Sequence, residues 1–161
     1  MDIDLSKLDY TFSSKPVVVG GRAMEFYGLR KSGVDIDLIA LQEDLAELIK
    51  KYPDRVKDLW GDLGVCPFEF EIWKTVCFYD YEFYKEGAVE KDNYFIVSLD
   101  RLLYMKTLAI RKEKYLNDVK LIVEKITKDI NSKYREVASQ NKKILKDIKD
   151  IIYIQKLGPE K

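Results

Sequence analysis

Two carboxylates separated by one residue inside an apolar run, Val34-Asp35-Ile36-Asp37-Leu38-Ile39, constrain this chain more than any other stretch. Read as a strand, the run alternates its side chains between faces, which stands Asp35 and Asp37 side by side and sends Val34, Ile36 and Leu38 to the core. Charges roughly 5–6 Å apart repel by about 3 kcal/mol at an effective dielectric of about 20, so the pair calls for a cation or solvent beside it. A magnesium-type ion suits that role, because it takes hard oxygen ligands and few of them from protein. Upstream, Val17-Val18-Val19 is apolar enough for a strand buried on both faces, and it runs straight into Gly20-Gly21. Glycines there let the backbone pass close to another body. A helix starting just after them, over Arg22 to Tyr27, would turn its free N–H groups toward phosphate. The plainer alternative is a tight strand-to-helix turn that needs glycine only for packing.

Gly20-Gly21, thirteen intervening residues and then Asp35-Ile36-Asp37-Leu38 resembles the signature of the DNA polymerase β-like nucleotidyltransferase superfamily, in particular its small stand-alone (minimal or AbiEii toxin-like) members. Arg30 and Ser32 sit in the approach to the acids, where such members often carry Arg-x-Ser/Thr. Further on, Ser98-Leu99-Asp100-Arg101-Leu102-Leu103-Tyr104-Met105-Lys106 and the later Asn117-Asp118-Val119 are similar to the segments that follow the sheet in these enzymes. The resemblance covers roughly residues 15–125 and implies a small mixed sheet flanked by helices, an α/β (α+β) nucleotidyltransferase fold. It also implies two magnesium ions held by Asp35, Asp37 and a third carboxylate on a neighbouring strand. The nucleoside triphosphate would meet Gly20, Gly21, Arg30, Ser32, Lys106 and, less directly, Asp118. The acceptor stays open among a tRNA end, a protein side chain and a small molecule, and a toxin-type member would have an antitoxin-like protein partner. A relative that keeps the fold and binds nucleotide or protein without catalysis is the alternative.

The third carboxylate comes from Phe68-Glu69-Phe70-Glu71-Ile72-Trp73. Strict alternation places Phe68, Phe70 and Ile72 on one face and Glu69, Glu71 and Trp73 on the other. Glu71 is the first choice and Glu69 the fallback.

Composition narrows the chemistry. The 161 residues are 47% hydrophobic and 35% charged, enough for one globular domain with its own core and an appended helical part. Histidine is absent, which removes Ser-His-Asp and Cys-His mechanisms and histidine-bearing zinc sites, and leaves carboxylates, lysine, arginine and tyrosine to act. Lys+Arg and Asp+Glu are both 28, so no overall basic field draws in nucleic acid. Cys66 and Cys77 lack a metal-type or redox-type spacing and read as reduced thiols of a cytoplasmic protein. No apolar run reaches the length of a membrane span.

The remaining elements follow from pattern. A short leading helix fits residues 1–14. Leu45, Ala46, Leu48 and Ile49 give an amphipathic helix over residues 42–52, closed by Pro53. Residues 54–60 add a turn of helix and residues 61–64 a loop. The aromatic stretch from Phe78 to Tyr84 is either core under a loop or a platform for a base. Asn93 to Leu99, with Tyr94-Phe95-Ile96-Val97, reads as the last strand, and a helix follows with Ser98 or Asp100 as its cap. Residues 1–126 form the nucleotidyltransferase-like domain. Residues 127–161 form a helical extension with nine Lys/Arg against five Asp/Glu and a stripe of Ile144, Leu145, Ile148, Ile151 and Ile152. That extension offers either an RNA-facing surface or a helix packed on a partner or on its own domain.

Overall fold

A computed structural model describes residues 3–59 and 61–146, with the side chains of residues 3–59 and 61–142. The chain divides into two units, Met1–Val123 and Glu124–Lys161.

The first unit is built on seven strands: β1 (Val17–Val18), β2 (Ile36–Ile39), β3 (Val56–Leu59), β4 (Asp62–Val65), β5 (Phe70–Trp73), β6 (Val89–Glu90) and β7 (Phe95–Ile96). They form one mixed sheet in the order β3-β4-β5-β2-β1-β7-β6. The pairs β2/β5 and β1/β7 are parallel and the others antiparallel. Helices α1 (Gly20–Phe26), α2 (Gln42–Lys51), α3 (Tyr81–Lys85), α4 (Leu99–Thr107) and the start of α5 (Glu113–Lys133) complete the unit. This is the mixed α+β architecture that the pattern of elements predicts.

The centre of the sheet is its most apolar part, as the Val17-Val18-Val19 run predicts. Val17 and Val18 are wholly buried, and so are Leu38, Ile39, Ile72 and Ile96 on the flanking strands, with Leu45 and Leu48 of α2 and Leu102 of α4 in the same core. Helix α1 ends in a Schellman motif: Gly28, at φ +69°, donates to Glu25 O and Leu29 donates to Met24 O. Inside the first turn of α2, Asp44 is 1% exposed and accepts from the Tyr10 hydroxyl at 2.9 Å, the Ser13 amide at 2.8 Å and the Ser13 hydroxyl at 2.9 Å. The charge is fully hydrogen-bonded, which is what makes its burial affordable. Burial, followed by the Asp44 hydrogen bond, pushes the Tyr10 phenol up to about 12.

Several expectations need correction. Val34 is 76% exposed, because β2 begins only at Ile36 and Val34 lies in the preceding loop. Phe68 is 67% exposed at φ +54°: a turn closed by Phe70 N–H to Pro67 O precedes β5, so the alternation starts two residues later than the sequence suggests. Val56–Leu59 form a strand rather than the expected turn of helix. A 3-10 turn at Pro53–Arg55 leads into β3, and β3 and β4 form an antiparallel hairpin that replaces the expected loop. Its turn is set by the Asp58 carboxylate, which accepts the Gly61 amide at 2.8 Å, with Gly61 at φ +98°. The leading helix is a 3-10 turn over Leu5–Leu8, Ala46 faces solvent, and β7 is only two residues long. The aromatic stretch divides: Asp80 caps α3, Tyr81 and Tyr84 are buried, with the Tyr84 hydroxyl donating to Val76 O at 3.0 Å, while Phe78 is 77% exposed and Tyr79 38%.

In the second unit, α5 continues to Lys133 and α6 spans Arg135–Lys146. Of the expected stripe, the Ile144 and Leu145 side chains and residues Ile148, Ile151 and Ile152 lie outside what is described. Among the described residues, no helix is long and apolar enough to cross a membrane.

Candidate functional site

Parallel pairing of β2 with β5 puts Asp37 opposite Glu71, with Ile36 opposite Phe70 and Leu38 opposite Ile72. Alternation sends those apolar residues into the core and leaves the two acids together on the other face. They line a cavity of about 240 Å³ with Gly20, Asp62, Trp73, Cys77, Lys106 and Tyr115. Burial, then the neighbouring Glu71 charge, raises the Asp37 carboxyl above the usual carboxylate range. Lys106 and the Gly21 amide pull the other way.

Gly20 is required by two independent facts. Its φ is +60°, and a Cβ added there would stand 1.9 Å from Asp37 Oδ2. Gly20→Ala is therefore expected to lower stability by about 1–2 kcal/mol from the left-handed backbone alone, and by more as Asp37 is displaced. Urea unfolding midpoints compared with those of Gly28→Ala, which has the same sign of φ but nothing within 4 Å, separate the two contributions.

Lys106, from α4, is 4% exposed, and Asp118, from α5, is 1% exposed. Lys106 Nζ lies 3.1 Å from Asp118 Oδ2 and 4.8 Å from the centre of the Tyr115 ring. Arg30 clamps the same carboxylate from both sides of its fork, Nε to Oδ1 at 2.6 Å and Nη2 to Oδ2 at 2.9 Å. Burial lowers the Lys106 ammonium below its ordinary value, against the pull of Asp118. Burial alone would raise Asp118, but its bond to Arg30 and the Lys106 charge outweigh that and hold it low.

The expected residues therefore separate into groups. Gly20, Asp37, Glu71 and Lys106 share one cavity. Gly21 adjoins it through its amide. Asp118 and Arg30 stand behind Lys106 rather than in the lining. Ser32 donates to Glu25 Oε2 at 2.7 Å and braces the loop against α1. Asp35 is exposed, just ahead of β2, and lines a neighbouring concavity with Lys57, Glu69 and Glu71. Glu71 borders both spaces. Glu69 pairs with Lys7. Lys57, on the hairpin, reaches Glu71 Oε1 at 3.2 Å.

Two further contributors, Asp62 and Tyr115, give no sequence signal, and a third, Trp73, is placed on the acid face by alternation alone. Asp62 accepts from the Thr75 hydroxyl at 2.7 Å and from the Cys77 and Phe78 amides at 2.8 and 3.2 Å, which holds the loop that walls the cavity. Trp73 lies against Gly64, where any Cβ would be 2.3 Å from the indole. Tyr115 supplies the other aromatic surface. The rings of Tyr79, Phe83 and Tyr104 pack on each other, with centroids 4.3 to 5.7 Å apart, and do not line the cavity.

Among the described residues no three His, Cys, Asp or Glu side chains are gathered into a metal cage. Two facing carboxylates nevertheless match what magnesium takes from protein when substrate phosphates supply further oxygens. The donor set fits a hard cation through Asp37 and Glu71. No family model, no curated protein and no solved structure matches the chain.

Proposed function

We propose that the protein transfers a nucleoside monophosphate from a nucleoside triphosphate to a hydroxyl acceptor, with pyrophosphate leaving, at the Asp37/Glu71 cavity. The observation that carries this reading is the register of Asp37 against Glu71 beside a glycine that no larger residue can replace. Asp37 and Glu71 would hold the cation, with Asp35 the further acid on the same strand approach. When bound, magnesium neutralises phosphate oxygens and acidifies the attacking hydroxyl. Gly20 keeps the wall beside Asp37 open to the triphosphate. Lys106 offers positive charge to the departing pyrophosphate, and Asp118 keeps its ammonium in place while Arg30 fixes Asp118. Trp73 and Tyr115 give the cavity apolar surface for the nucleoside. The resemblance of the Gly20-Gly21 and Asp35-x-Asp37 stretches to the polymerase β-like superfamily points the same way.

The test is incubation with each α-labelled nucleoside triphosphate, magnesium and a cell extract. Label entering RNA, protein or a small molecule identifies the acceptor class, and any antitoxin-like partner would appear as an inhibitor in the extract. The absence of a gathered acid trio and the Lys57–Glu71 ion pair favour one second reading, a nucleotide-binding module without turnover. Calorimetric binding with no pyrophosphate release selects it.

Lys57 yields a separate expectation. Its ammonium neutralises Glu71 from the hairpin, so Lys57→Ala should tighten manganese binding, read by electron paramagnetic resonance, by two- to five-fold, the equivalent of roughly 0.5–1 kcal/mol for an exposed ion pair. A weaker manganese signal would remove Glu71 from the cation site.

A further inference from the structure

Beyond Ile122, the last buried residue of α5, the apolar side chains along the helix are exposed among the described residues: Val123 is 46% exposed, Ile130 53%, Tyr134 50% and Val137 51%. With Ile126 they recur at spacings of three, four, four and three, and the sequence continues at four and three through Asn141, Ile144, Ile148 and Ile151. Alternating threes and fours are the seam of a two-stranded coiled coil, with Val123 and Ile130 at a positions and Ile126 at d. The single doubled four falls at Ile130–Tyr134. That is a four-residue stutter, a feature that locally unwinds a supercoil. At the same place α5 gives way to α6, between Lys133 and Arg135, with Tyr134 N–H bonded to Ile130 O at 3.0 Å and Ala138 N–H to Tyr134 O at 2.8 Å across the junction. The sequence period thus marks one seam, and residues 127–142 are exposed along their whole length. A helix this polar gains little stability without a partner on its apolar stripe.

We infer that this stripe pairs with the same stripe of a second copy of the chain, in parallel and in register. Asn141 decides the partner and its direction. After the stutter the same count puts Tyr134 and Asn141 at a positions and Val137 at a d position. A parallel, in-register pair sets Asn141 against Asn141 of the other copy, where the two amides satisfy each other. That is the device that fixes register and two-strandedness in such coils. An antiparallel pair would set Asn141 against an apolar d residue such as Val137 and leave its amide without a partner. The flanking positions agree: Ala138 and Gln140 carry no charge and bring none face to face.

The test is the mass of the full-length chain by sedimentation equilibrium, for the native sequence and for Ile130→Asp and Val137→Asp. The expected result is a dimer whose mass falls two-fold in either variant, with an unchanged near-ultraviolet spectrum showing that the first unit stays folded. Val137→Cys in a background of Cys66→Ser and Cys77→Ser is expected to form an intermolecular disulfide, since in-register d positions face each other. A monomeric native chain, a dimer unaffected by either aspartate, or a Val137→Cys dimer that does not cross-link would each overturn the proposal. A native monomer that binds a different protein through this stripe would overturn it as well. None of these outcomes depends on nucleotidyl transfer.

Discussion

Asp37→Asn is expected to abolish nucleotidyl transfer, by at least about two orders of magnitude in kcat/KM, while making the metal-free protein more stable at neutral pH. Both effects have one cause. Asp37 is buried next to Glu71, and its carboxyl is raised first by that burial and then by the neighbouring negative charge. Such a pair opposes folding and favours a cation. Asparagine keeps the shape and the oxygen facing the cavity but removes the charge, so the fold is relieved and the cation loses a ligand. Transfer is measured with labelled nucleoside triphosphate and stability by thermal melting in chelator. Lost transfer with lost stability would mean a packing defect, and unchanged transfer would take Asp37 out of the chemistry. Asp35→Asn in the same assay tests whether the acid of the adjoining concavity serves the same cation.

The legible and illegible parts of this site differ in a physical way. Asp37, Gly20 and Glu71 can be found because each sits where a periodic pattern is interrupted: acids inside an apolar strand, glycines at a strand-to-helix junction, a glutamate on an alternating strand. Where a pattern ends is harder to read. Val34 and Phe68 look like core because the alternation appears to begin two residues before the backbone pairs, at Ile36 and Phe70. That same offset leaves Asp35 in a separate concavity from Asp37. The β3–β4 hairpin escapes notice for another reason. All four residues of β3 are exposed, so burial imposes no alternation, and only the Asp58–Gly61 turn records the hairpin in the sequence. Asp62 serves by accepting two backbone amides and a hydroxyl from a loop more than ten residues away, a role that leaves no local pattern. Lys106 and Asp118 stand out only through resemblance, since on helical spacing alone each reads as an ordinary polar face.

The cost of disturbing that last pair should be the largest stability effect in the molecule. Asp118→Ala strips the shared anion from Arg30 and from Lys106, which is 4% exposed. An unpaired buried charge typically costs about 3–5 kcal/mol, against a total stability on the order of 5–15 kcal/mol. Arg30 is less demanding, because its guanidinium is partly exposed and also bonds Lys31 O at 2.9 Å. Lys106→Met in the Asp118→Ala background should therefore recover most of the loss, although each change alone is destabilising. That non-additivity is the mark of a shared carboxylate and is read from a double-mutant cycle by urea unfolding. The pH dependence has a definite sign. Asp118 is held below its unfolded value of 3.8, so its contribution is fully present above that value and is lost as pH falls through the depressed one. The native protein and Asp118→Ala should thus converge in stability on acidification below 3.8 and differ at neutral pH. A gap that persists at low pH would assign the loss to the cavity left by the missing side chain. In that case the Lys106 ammonium would not depend on Asp118 for its place at the edge of the site.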